Sequence, residues 1–345
     1  MAFENPIHRI AQERSAHEEA TAHLNQGRQL LMTLPETGER DQLELMVAHW
    51  LMGQNLFHIG DCATGLQHLE QAHTLYDPQQ RPTHVTLGVD FGVFTLSYMS
   101  HALWSLGYPE QAVQRSGEAL ALAQEVHHPF SVALAQAYTA MLHQFRKEPL
   151  AASKHAEMAL AICTENSIAY YLAWATIIQG WALAEQGQRE EGTAQMQQGL
   201  AALQATGGRL RLPYYLALLA GAYRCNGQVE KGLHLLDEAF AEMQQTGEHC
   251  WEAELHWLQG DLLMAHTTAD QATAEACLHQ TLEVARRQQA KSWELHAAIR
   301  LARLWQSQGE EQAAYDLLAP VYAWFTEGFE TADLQEAKAL LHELA

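Results

Sequence analysis

Basic side chains are scarce in this chain: 20 lysines and arginines stand against 41 aspartates and glutamates over 345 residues, a formal net charge of -21. A surface of that sign repels a phosphate backbone and an anionic bilayer alike, so nucleic acid and membrane are set aside as partners. The acidity is read as the solvated outside of a large helical surface, with the steering of a basic partner as its other use. Long apolar runs are also missing. No window approaches 18 uncharged apolar residues, and the opening "MAFENPIHRIAQERS" has charges but no apolar core, which argues against a spanning helix or a signal peptide. The cysteines are few, odd in number and scattered at Cys62, Cys163, Cys225, Cys250 and Cys277 with no C-x-x-C pair. That is the usage of a reducing compartment, and the expected location is cytoplasmic. Valine, isoleucine and threonine are sparse beside alanine, leucine, glutamine and glutamate, which strongly favours helix over sheet and predicts an all-α fold.

Motifs with catalytic content are lacking too. No phosphate loop, dinucleotide fingerprint, H-E-x-x-H or nucleophile elbow occurs, and "GDCATG" and "GQVEKG" read as turns without the following Lys-Ser/Thr. Twenty histidines invite a metal reading, and His249, Glu252 and His256 would share a helix face near Cys250. No second cluster completes a tetrahedral set, so the histidines are read as structural or solvated. No catalytic residue, metal or cofactor is expected, and the chain is not expected to be an enzyme.

What the sequence does contain is a repeat. Small or apolar residues recur at steps of four and three in eight triplets: Ala20/Leu24/Gly27, Gly65/Leu69/Ala72, Ala112/Ser116/Ala119, Ala152/Ala156/Ala159, Gly192/Met196/Gly199, Gly232/Leu236/Ala239, Ala274/Leu278/Thr281 and Ala314/Leu318/Val321. Their first members lie 45, 47, 40, 40, 40, 42 and 40 residues apart. Those steps place each triplet on one helical stripe where a neighbouring helix can come close. Five residues before the triplet stands Gly60, Gly107, Gly187, Gly227 or Gly309, positions suited to the left-handed turn that stops one helix before the next begins. Pro109 in "GYPEQA" fits the first turn of the following helix. Twelve residues before it stands Gly53, Ser100, Ala140, Gly180, Ala220 or Ala302.

A helix, a tight turn and a second helix per unit resembles the tetratricopeptide repeat. The resemblance implies an α-solenoid of about seven to eight repeats forming a right-handed superhelix. It departs from the family in a period near 40 rather than 34, and in the loss of the turn glycine at Lys147 and Thr267. The whole chain is read as one such domain, with a partial first unit over 1–35, repeats over 36–330 and a capping helix over 331–345. The longer connections Asp77 to Asp90 and Ala205 to Pro213 are the expected places for bending.

In the repeat family the second, fifth, ninth and twelfth residues of each first helix face the concave side. That register selects Trp50, Phe57, Phe94, His101, Trp104, Met141, Gln144, Trp174, Trp181, Tyr214, Arg224, Glu254, Trp257, Asp261 and Arg303 as candidate ligand residues, with five of the nine tryptophans among them. Aromatics interleaved with charge are the composition of a binding hot spot. The competing reading is that a tightly wound superhelix fills its own interior with these rings. Trp251, Trp293, Trp305 and Trp324 are assigned to packing.

The strings "WEAELHWLQGDLL", "EVARRQQAKSWELHAAIRLARLW" and "LLAPVYAWFTEGFETADLQEAKALL" resemble the C-terminal repeat region of bacterial proteins that carry a class III adenylate or guanylate cyclase domain and a signal-transduction ATPase. That tail is itself similar to the sensor region of the maltose-regulon activator. The resemblance implies a regulatory module that binds a protein or peptide, with a small effector or an oligomerising scaffold as the alternatives.

Overall fold

The computed structural model describes residues 38–80, 88–266 and 271–345. The partial first unit, its triplet Ala20/Leu24/Gly27 and Thr267 lie outside the described residues. Among the described residues there are fifteen α-helices and no strand. They pair in chain order as α1 (Gly38–His58) with α2 (Cys62–Leu75), α3 (Phe91–Ser105) with α4 (Pro109–Val126), α5 (Pro129–Phe145) with α6 (Pro149–Asn166) and α7 (Ala169–Glu185) with α8 (Arg189–Ala205). The series continues with α9 (Leu212–Cys225) and α10 (Val229–Thr246), α11 (Glu252–His266) and α12 (Gln271–Arg287), α13 (Lys291–Gln308) and α14 (Glu311–Trp324), and closes on α15 (Ala332–Leu344). The architecture is a tetratricopeptide-like α-solenoid.

Burial separates the two helices of each pair into an inner and an outer layer. Every residue of α3 is buried, and α5 and α7 are buried on most of their surface. Their partners α4 and α6 bury little more than a single stripe. A helix apolar all round belongs inside and an amphipathic one outside, so the first helices form the inner layer. All seven described triplets are buried, which is the stripe by which each second helix lies on its neighbours.

Glycine sets how close the layers come. A Cβ on Gly180 would sit 2.6 Å from the Gly192 carbonyl oxygen, and one on Gly192 only 2.3 Å from that of Gly180, so α7 and α8 touch backbone to backbone. Between them Gly187 takes a φ of 93°, and the Gln188 N–H donates to the Leu183 carbonyl at 3.0 Å, closing the helix end. The same bond forms from Glu148 to His143 at 2.9 Å although Lys147, with a φ of 57°, holds the turn position. A lysine there costs roughly 1–2 kcal/mol of backbone strain. Its ammonium makes a contact that glycine lacks, reaching Asp333 at 2.5 Å.

That contact belongs to a seam between distant repeats. Ser292 Oγ donates to the Trp104 carbonyl at 2.6 Å, and Trp104 meets Trp293 edge-on with 5.4 Å between ring centres. The Glu327 carboxylate accepts from the N–H groups of Glu110 and Gln111 at 2.9 and 3.1 Å, capping the N-terminus of α4. The superhelix therefore winds tightly enough for its last repeats to rest on α3, α4 and the turn after α5. The inner layer becomes an enclosed interior.

Candidate functional site

The inner stripe divides into a filled part and an open part. Trp50, Phe57, Phe94, Trp174, Met141, Tyr214 and His101 are each at most 5% exposed and pack in the interior. Trp50 meets Phe94 at 5.2 Å, and Phe57 meets Tyr98 at 5.8 Å. The His101 ring stacks on Tyr138 and its Nε2 lies 3.0 Å from the Tyr138 carbonyl, with burial holding its pKa well below the usual histidine range. For these positions the structure realises self-packing, because the tight winding brings aromatic inner helices into mutual contact.

At the centre of the filled part lies Arg211, which the repeat register does not select. It comes from the Ala205–Pro213 connection, has a φ of 64° and is fully buried. Its guanidinium carbon stands 5.1 Å from the ring centres of Tyr138 and Trp174, 5.4 Å from Tyr98, 5.7 Å from Phe57 and 5.8 Å from Trp251. The Arg211 N–H donates to Glu248 Oε2 at 2.8 Å, and Glu248 Oε1 lies 2.8 Å from His58 Nδ1. No carboxylate touches the guanidinium itself among the described residues. Its charge is carried by the negative faces of the rings, an arrangement worth about 2 kcal/mol or more for a desolvated cation.

The open part begins at the seam. A cavity of about 330 Å³ is lined by side chains from α3, α5, α7, α9, α11, α13 and α15. Of the candidates, Trp104, Gln144, Trp181, Arg224, Glu254, Trp257 and Asp261 line it. Arg303 does not: it pairs with Glu343 on α15. The candidate set is thus gathered in part, seven residues at the cavity, seven in the filled interior and one at the end of the array.

The polar groups of the cavity are ordered along α11. Asp261 is 4% exposed and is held by two arginines: Arg224 Nε lies 2.8 Å from its Oδ2, and Arg300 pairs with its Oδ1. The Arg300 guanidinium also lies 5.7 Å from the Trp257 ring centre. Two turns back on α11, Glu254 is 8% exposed and its Oε2 has no hydrogen-bond partner in the protein. Burial pushes the Glu254 carboxyl up to about 8, so it stays protonated near neutrality. Trp257 Nε1, between these two carboxyls, is likewise without an acceptor. Beside Trp257, whose ring centre is 5.9 Å from that of His296, His296 Nε2 lies 2.7 Å from Asp333 Oδ2. Burial raises the Asp333 carboxyl, but His296 and Lys147 outweigh it and hold it well below the carboxylate range.

Four groups of this wall escape the repeat register. Lys147 stands in a turn, Arg300 lies three residues before Arg303 on α13, and Asp333 lies on the capping helix. Trp293, assigned to packing, packs on Trp104 and also lines the cavity. The missing turn glycine at Lys147 was the one sequence signal among them. Elsewhere, His249 Nδ1 is 3.3 Å from Glu252, whose carboxylate also pairs with Arg287, and the His256 ring lies tilted against Phe240, 4.8 Å between centres. No group of three or more metal-ligating side chains forms among the described residues, and none of their helices is long and apolar enough to cross a membrane.

No family model matches the chain. It is 23% identical over 251 residues to an uncharacterized protein of Rhizobium meliloti (strain 1021), covering 72% of this chain and 24% of that one. The chain thus spans about a quarter of the length of that relative. Similar solved structures include the Rap conjugation gene regulator of plasmid pLS20 in complex with the Phr* peptide, with a TM-score of 0.59 at 10% identity over 90% of this chain and 77% of that one. A Rap protein complexed with Competence and Sporulation Factor has a TM-score of 0.57 at 12% identity over 94% and 81% of the two chains. Aspartyl phosphate phosphatase F from Bacillus subtilis has 0.54 at 12% identity over 83% and 71%. At these identities the likeness is one of fold.

Proposed function

We propose that the chain is a non-catalytic recognition module that takes a short peptide, or a segment of a partner protein, into the cavity on its inner face. The observation that carries the reading is the cavity itself: indoles from four inner helices, Trp104, Trp181, Trp257 and Trp293, stand around polar groups fixed by buried partners. Recognition sites combine an apolar wall with a few placed polar groups in just this way. Two proteins of similar fold were solved in complex, one with the Phr* peptide and one with Competence and Sporulation Factor, which supports the same use here. A volume of about 330 Å³ lies at the small end of ligand sites, and it favours a few residues of peptide over a long segment. The same volume supports a second reading, a small effector in place of the peptide.

The resemblance of the last third to the tail of cyclase and signal-transduction ATPase proteins supports a place in cytoplasmic bacterial signalling. On this reading occupancy of the cavity is passed to an output domain, attached or associated. Closure of the seam beside the cavity supplies the coupling, since a ligand that prefers one winding of the superhelix shifts the population of that winding.

The test is retention of a synthetic random peptide library on immobilised protein, read by mass spectrometry, with intrinsic tryptophan emission followed on titration of the retained peptides. Trp181→Ala should cut retention at least tenfold with an unchanged circular dichroism spectrum. Full retention by a folded Trp181→Ala protein would remove the cavity from the reading.

A further inference from the structure

Both poles of the cavity are built on one helix. Glu254 and Asp261 are seven residues apart on α11, which at 1.5 Å per residue sets them about 10 Å apart along its axis, with Trp257 between. At the Asp261 end two guanidiniums share one carboxylate, leaving one positive charge in excess. Each arginine is about one-third exposed, with the carboxylate fixing its orientation and further N–H groups free to donate. At the Glu254 end a carboxyl more than nine-tenths buried keeps one oxygen without a partner. A buried acceptor in that state costs free energy that a ligand donor would recover.

We infer that the cavity takes a small zwitterion, a free peptide of about three residues, with its carboxylate on Arg224 and Arg300, its terminal amine on Glu254, and its middle against Trp257. The inference rests on the peptide reading above and deepens it. Three extended residues span roughly 10 Å, which matches the separation of the poles. The other charged groups of the cavity leave both poles available. Asp333 is engaged by Lys147 and His296, while Glu185 and Glu336 are exposed. Binding balances in charge and protons: an ammonium arriving at protonated Glu254 leaves one proton to be released, and the carboxylate meets the excess charge of the arginine pair. The ligand is neutral overall, so the field of a chain with net charge -21 does not oppose its entry.

The experiment uses the full chain and one random tripeptide library in four forms: both termini free, N-acetylated, C-amidated, and doubly blocked. The expected result is retention of the free form, with at least a tenfold loss on blocking either end. In a folded Arg300→Gln protein amidation should no longer matter, and in a folded Glu254→Gln protein acetylation should no longer matter. Equal retention of the free and doubly blocked forms would overturn the zwitterion while leaving peptide binding intact, and sensitivity to one end alone would overturn it as well. Retention of none of the four forms, nor of longer peptides, would overturn the peptide reading and the inference together. The blocked libraries are compared on the unmodified chain, so the outcome does not depend on either variant folding.

Discussion

The filled interior and the open cavity share the inner stripe of α3, α5, α7 and α9, yet one is packed by the chain itself and the other is a cavity. Around Arg211 the inner aromatics Phe57, Tyr98, Tyr138 and Trp174 hold a cation supplied by the connection before α9. Around Trp257 comparable aromatics and charges border an empty volume. Aromatic character therefore does not distinguish core from site in a wound solenoid. What distinguishes them is whether a connection reaches inward far enough to deliver a side chain. In the filled half the cation is internal and permanent, whereas in the open half Arg224, Arg300 and Glu254 border a cavity; buried polar atoms without a partner occur in both, Arg211 Nε, Trp50 Nε1 and Trp174 Nε1 in the first, Glu254 Oε2 and Trp257 Nε1 in the second.

Removing the internal ligand is the strongest way to break that contrast. Arg211→Ala deletes a buried guanidinium that meets five rings and leaves a void among them. A loss of about 3–5 kcal/mol is expected, the usual scale for a large buried side chain truncated without collapse. Denaturant unfolding monitored by tryptophan emission measures it. If the variant is as stable as the parent, the rings do not depend on the cation and the filled half is ordinary apolar core.

A second perturbation acts on the seam between the halves. Gly107 and Gly187 occupy the same turn position with φ of 91° and 93°. A Cβ on Gly187 meets nothing, whereas one on Gly107 would lie 2.6 Å from Trp324 and 2.8 Å from the Lys291 side chain. Gly187→Ala should cost about 1–2 kcal/mol, the left-handed strain alone. Gly107→Ala should cost a further 1–3 kcal/mol, because the seam must shift to admit the methyl. Equal losses for the two variants, measured side by side in urea, would show that the seam carries no stability of its own.

The two halves also differ in how far the sequence revealed them. The triplets and turn positions were legible because steps of four and three are a property of one helix and its neighbour, and Gly180 and Gly192 meet as that spacing requires. The aromatic stripe was legible as a stripe. Its division was not, because Arg211 enters from a connection with no helical period to read. The cavity wall depends on pairs such as Trp104 with Trp293 and Glu110 with Glu327, and a repeat length near 40 does not fix the winding that joins them. Lys147 shows the limit case: its departure from glycine was visible, while its reason, Asp333, lay on a helix more than four repeats away.

The finest test concerns the unsatisfied pole. Glu254 titrates near 8 in the folded protein, against about 4.3 in an unfolded chain. Below about pH 4 both states hold the proton and the residue adds no penalty. As pH rises from about 4 to 8 the unfolded chain gives up its proton while the folded protein keeps it, so stability falls across that window and levels off above it. Glu254→Gln keeps the shape of the protonated acid and removes the titration. It should be more stable than the parent near pH 8 and indistinguishable from it near pH 4, as read from urea midpoints against pH. Arg211 gives no such profile, since a guanidinium stays charged throughout that range. A gap between parent and Glu254→Gln that does not change with pH would mean that the carboxyl is solvated, and the cavity would then lose the buried acceptor that forms one of its poles.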